Sequence, residues 1–211
     1  MAEDREEGIH GREYSNDANN TNPGNPIHQT GLNILEKGVI YFFIRGRVNM
    51  NWPHGIDDIA NTYIILRPIP ENVKLGDELA DDEGNCRLCL LPKKTLPQTA
   101  RDRWIVLVEK SQITFGEVKK RFLRSADYET QTLGSRHKPA AKPAGEGVYA
   151  ISSTERVSHL SYLLIIPEEP GEVQRALGLK SRGSFIINTR NPTYPPAEGM
   201  HFPQQPKYST R

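Results

Sequence analysis

Gly38-Val39-Ile40-Tyr41-Phe42-Phe43-Ile44 is the stretch that decides what kind of fold this chain can adopt. After Gly38 its residues are β-branched or aromatic, apolar at odd and even positions alike. That pattern describes a strand covered on both faces. Six further short runs of β-branched, aromatic and other apolar residues follow, several of them apolar on both faces: Thr62–Leu66, Cys86–Leu91, Trp104–Val108, Val148–Ile151, Leu160–Ile166 and Phe185–Thr189, with proline and glycine between them. Seven short runs separated by turn signals predict a sandwich or barrel-like sheet.

Two helices interrupt the strands. Thr114 is placed as an N-cap, Glu117 three residues later closes a capping box, and Ile113 and Val118 can form a hydrophobic staple. Phe115, Val118, Phe122 and Ala126 fall on one side of this helix, so it packs on the sheet and exposes Lys119, Lys120, Arg121 and Arg124. The second helix runs from Pro170 to Leu177, with Gly178 in the C-capping position. The expected class is a β-rich α+β fold in a single domain, residues 31–191.

The flanks are of another character. Residues 1–30 hold six acidic and two basic side chains, net −4, among many Asn, Asp, Gly and Pro, and cannot bury enough apolar surface to offset the entropy of ordering. A disordered acidic tail is expected there. From Pro192 onward, Pro195, Pro196, Pro203 and Pro206 exclude a helix or an internal strand, so 192–211 is expected to be an extended tail. The chain totals 211 residues with a net charge of +1, which leaves the part after residue 30 at +5.

These totals exclude some classes. Two cysteines and no apolar leader after Met1 do not suit a disulfide-framed secreted protein, so a reducing compartment, cytoplasm or nucleus, is expected. Leu160–Pro167, the longest apolar run, is far short of the ~20 residues of a membrane-spanning helix. Near-neutral charge disfavours bulk attraction to nucleic acid.

Cys86-Arg87-Leu88-Cys89 has the spacing of half a zinc knuckle, but no second pair accompanies it, and on a strand residues three apart face opposite sides. Two packing thiols, no metal and no cofactor are expected. Trp52-Pro53-His54-Gly55-Ile56-Asp57-Asp58 sets an imidazole near two carboxylates, a set suited to metal binding or acid–base work. The competing reading is that Asp57 or Asp58 caps a turn. His159 shares a strand face with Ser161 and Leu163, and Ser152 and Ser153 belong to the neighbouring strand; a Ser/His pair is conceivable, yet no nucleophile elbow or oxyanion loop accompanies it. Gly145-Glu146-Gly147 lacks the strand before and helix after that a phosphate loop needs. Two cationic groups remain: Lys119, Lys120, Arg121 and Arg124 on the helix, and Arg136, His137, Lys138 and Lys142 in an expected loop before Val148. Meeting, they suit an acidic partner, a phosphorylated ligand or RNA; the competing and preferred reading is ordinary solvated surface, since Glu117, Asp127 and Glu129 dilute the helix face.

The segments from Gly38 to Val48, from Leu66 to Pro70, Gly145-Glu146-Gly147-Val148-Tyr149-Ala150-Ile151, and the run from His159 through Pro167 and Gln174 to Pro192 resemble a poorly characterised, mainly fungal family with apparent prokaryotic relatives. Its fungal members are often labelled "BTB domain transcription factor". The resemblance covers residues about 31–192 and implies a transcription-associated role. A BTB domain is a largely helical dimerisation module, whereas this chain offers strands, so the grouping is carried over without the function, and no catalytic residues come with it.

The expected function is a non-catalytic binding or regulatory module for a protein or small anionic ligand. The alternative is a small hydrolase or metal-dependent enzyme built on His54, Asp57 and Asp58, with His137 or His159 reaching in.

Overall fold

A computed structural model describes residues 33–70 and 83–188, apart from positions 100, 103, 133, 155 and 156. The two expected tails, 1–30 and 192–211, lie outside the described residues. Nine strands form among the described residues: β1 Asn33–Gly46, β2 Ile59–Pro68, β3 Cys86–Leu91, β4 Leu107–Ile113, β5 Ala126–Thr130, β6 Gly134–Lys138, β7 Lys142–Ser153, β8 Ser158–Ile166 and β9 Arg182–Ile187. Seven of them make one antiparallel sheet in the order β4-β3-β2-β1-β7-β8-β9, and β5 and β6 form a separate hairpin.

The stretch Gly38–Ile44 lies at the centre of that sheet, as its two-sided apolar pattern requires. Phe42 of β1 pairs with Ile64 of β2 on one side and Gly145 of β7 on the other. Even and odd positions of β1 enter different cores. Ile40, Phe42 and Ile44 join Ile64, Leu66, Leu160 and Tyr162 on the first face; Val39 and Tyr41 join Tyr63, Ile65 and Leu88 on the second. The sheet curls around its first face until Trp104, just before β4, meets Phe185 of β9 edge to face at 5.3 Å between ring centroids. The edge strands approach without pairing, so the sheet is barrel-like but open.

Helix α2, Glu172–Ala176, closes the mouth of the curl. Leu177 and Leu179 behind it are buried in the first core, and the Leu177 carbonyl accepts from the Leu96 amide at 2.8 Å. Gly178 turns the chain at φ +82°, the left-handed conformation its capping position predicts. Helix α1, Phe115–Val118, covers the second face over β1–β4 and continues as a π-helical stretch, Lys119–Leu123. Its Thr114–Glu117 capping box is formed in full.

The β-rich α+β class therefore holds, with four local corrections. Strand β4 occupies Leu107–Ile113 and not Trp104–Val108, because Trp104 and Val106 pack on the first core from the preceding loop. β9 spans Arg182–Ile187, beginning earlier than the apolar run suggests. The first helix ends at Leu123, and Ala126 opens β5. The basic segment expected as a loop is strand: Arg136, His137 and Lys138 lie on β6 and Lys142 begins β7. Cys86 and Cys89 are buried on opposite faces, as strand geometry dictates. No helix among the described residues is long and apolar enough to cross a membrane.

Candidate functional site

The end of β1 organises the cationic side of the molecule. Alternation along β1 sends Arg45 to the second face, beneath α1, where only 1% of it is exposed. A buried guanidinium must find acceptors. Its Nη1 donates to the carbonyls of Pro139 and, at 3.1 Å, Arg124; Nη2 donates to the carbonyl of Phe122. Phe122 and Arg124 end the helix, whose last carbonyls lack partners within it, so the cation meets the negative end of the helix. The Tyr63 ring lies 5.9 Å from the guanidinium carbon.

One side chain thus fastens the helix terminus to the β6–β7 connection. Arg124 and Lys138, from the two cationic stretches, are held on one rim, and Ala126 pairs with Lys138 in the hairpin. Burial, followed by the nearby charge of Arg45, lowers the pKa of Lys138 from the ordinary lysine value. Lys120, Arg121 and Arg124 are exposed, while Lys119 turns back to place its ammonium 4.9 Å from the Phe115 ring centroid. Arg136 and His137 are half-buried. His137 Nδ1 lies 2.5 Å from Asp127 Oδ1, and its backbone exchanges hydrogen bonds with Asn49 in the β1–β2 loop. Lys142 places its ammonium 3.4 Å from the Trp52 ring centroid.

His54, Asp57 and Asp58 share that loop. Ile56–Asp58 is a single 3-10 turn, and Asp58 Oδ2 accepts from the His54 backbone amide at 3.0 Å, so this carboxylate holds the loop closed. Among the described residues no three His, Cys, Asp or Glu side chains converge as metal ligands. His159 stands directly across from Ser152, in the register that also aligns Ser152 with Ile34. The His54 loop follows the opposite end of β1, at Gly46, twelve residues beyond Ile34 and about 40 Å away along the strand. The structure brings His137 toward the His54 loop and leaves His159 remote.

Sequence reasoning missed a second feature. Helix α1 covers only half of the second face. Over β1, β7, β8 and β9 that face carries three rows: Ile34, Ser152, His159, Ile186; then Lys37, Ala150, Ser161, Ser184; then Val39, Val148, Leu163, Arg182. The short side chains of the middle row make a shallow groove of about 640 Å³, walled by Ile34 on one side and Val148 and Leu163 on the other. Ser161 and Ser184 hydrogen-bond across its floor at 2.9 Å. The signal was present in β8, where His159, Ser161 and Leu163 alternate with buried Leu160, Tyr162 and Leu164. What covers a face is a property of other elements, so the alternation alone did not reveal the groove. No protein-family model, curated protein or solved structure matches this chain.

Proposed function

We propose that this chain is a non-catalytic binding module that takes an acidic or phosphorylated protein segment on the rim formed by Lys120, Arg121, Arg124 and Lys138. The observation that carries the reading is the Arg45 clasp, which draws two separate cationic stretches to one edge by their backbones. A rim fixed in this way offers several cations at small entropic cost, because the backbone carrying them is already ordered. Asp127 is engaged with His137, which reduces its competition for the cations.

The test uses the full chain with two fluorescent probes, a poly-glutamate peptide and a phosphoserine-repeat peptide. Charge reversal at Lys120 and Arg124 together should weaken binding at least tenfold at low salt, about 1.4 kcal/mol, whereas Lys180→Glu on the far side should change it little. Equal losses in both variants would indicate bulk charge alone. Unchanged binding in Lys120→Glu/Arg124→Glu would remove the helix from the site.

A further inference from the structure

The open half of the second face carries large apolar side chains at its margins: Ile34 and Ile186 at the two ends of one outer row and Leu163, beside Val148, in the other retain 57, 63 and 52% exposure. Large exposed apolar side chains set around a groove of short ones mark a surface that something covers. We propose that the chain's own last segment, residues 189–211, lies across this groove as an extended strap.

Position, length and composition favour that occupant. The described chain stops at Asn188, immediately after Ile186 and Ile187, so the segment departs from the rim of the groove itself. It contains 23 residues. At the ~3.1 Å per residue of a polyproline helix, Tyr194 reaches about 19 Å from Asn188 and Phe202 about 43 Å. The face is smaller than that, since four strands span roughly 14 Å across and Ile186 to Arg182 roughly 13 Å along.

Five prolines in the segment withhold amide donors, so it suits a sheet's face rather than the free edge of β9. A proline-rich segment also loses less entropy on docking than a flexible one. Three aromatic rings, Tyr194, Phe202 and Tyr208, supply apolar area; residues 1–32, though longer, contain only Tyr14. Between Asn191 and Pro206 the sole charged residue is Glu198, which complements Arg182 on the groove wall. A second copy of the chain would instead bring the same cations, Lys37 and Arg182, toward themselves.

Paramagnetic broadening in the full chain tests this directly. A nitroxide is attached at Gln205→Cys; Cys86 and Cys89 are buried, and burial pushes the Cys89 thiol up to about 11, so the new thiol reacts first. The amide signals of Ala150, Ser161, Leu163 and Ser184 should lose more than half their intensity, and those of Lys119–Leu123 should not. A thermal cycle adds an independent reading: Phe202→Ser and Leu163→Ser should each lower the midpoint, and the double variant should fall by less than the sum. No broadening on the face together with additive midpoints would overturn the proposal. So would broadening seen only when nitroxide-bearing chains are mixed with isotope-labelled ones, which would assign the face to a second copy. Broadening of the same amides by a nitroxide at Asn20→Cys, with none from Gln205→Cys, would assign it to the first segment.

Discussion

Tyr149 shows how far one residue in the first core depends on a proton. Its hydroxyl donates to Glu36 Oε1 at 2.5 Å, and the same oxygen accepts from Arg87. Burial first, and then the hydrogen bond to Glu36, raise the Tyr149 pKa well above the ordinary tyrosine value; burial raises Tyr41 and Tyr162 in the same direction. A raised pKa means that the folded state prefers the protonated ring hydroxyl. Its stabilising contribution is complete below the unfolded value of about 10 and is lost as pH climbs beyond it. Stability to urea should therefore fall steeply above pH 10. In Tyr149→Phe we expect a loss of roughly 1–2 kcal/mol at pH 7, from the donor removed from Glu36, and a shallower alkaline decline. Parallel curves for the two proteins would place the alkaline sensitivity elsewhere.

Among elements, the helix and hairpin on the second face depend on Arg45. Replacing it with Met keeps much of the buried volume but leaves the carbonyls of Phe122, Arg124 and Pro139 without that donor. We expect a loss of roughly 2–4 kcal/mol in urea titration, the scale of leaving buried carbonyls without their donor at ~1–3 kcal/mol each, and early hydrogen exchange at Ala126–Lys138. A loss below about 1 kcal/mol, within the range of a surface substitution, would show that the clasp is incidental. None of this was legible in the sequence, where Arg45 looks like the polar end of an apolar run. The β5–β6 hairpin was hidden for a related reason: almost every residue from Ala126 to Lys138 is exposed, so no alternation marks it. Gly134, which adopts φ +68°, was its one turn signal. The polar residues Glu109 to Gln112 likewise concealed β4, an edge strand with little need of apolar positions. By contrast the capping box and the apolar face of α1 were readable, because each is a local pattern that its own residues complete.

For the whole molecule, the central strands declared themselves because burial on both faces leaves no room for polar residues. The relation between the sheet's ends did not, since Trp104 and Phe185 are 81 positions apart. β1 begins at Asn33 with three exposed residues, so deleting residues 1–30 removes none of the described sheet residues. The thermal midpoint should stay within about 2 °C of the full chain, under 1 kcal/mol for a domain of this size. A fall of about ten degrees, several kcal/mol on the same scale, would make that segment part of the fold. The order of strands also has a consequence for synthesis. β1 can pair with β2 soon after leaving the ribosome, but its other neighbour, β7, arrives only with residues 142–153. At ~5–20 residues per second, the nascent β1–β4 sheet waits roughly 2–8 s with the apolar backbone of Gly38–Ile44 open along one side. Polysomes hold several such chains close together, and an open edge of this kind invites pairing between them. The interval between β4 and β7 is where a trigger-type chaperone has most to protect.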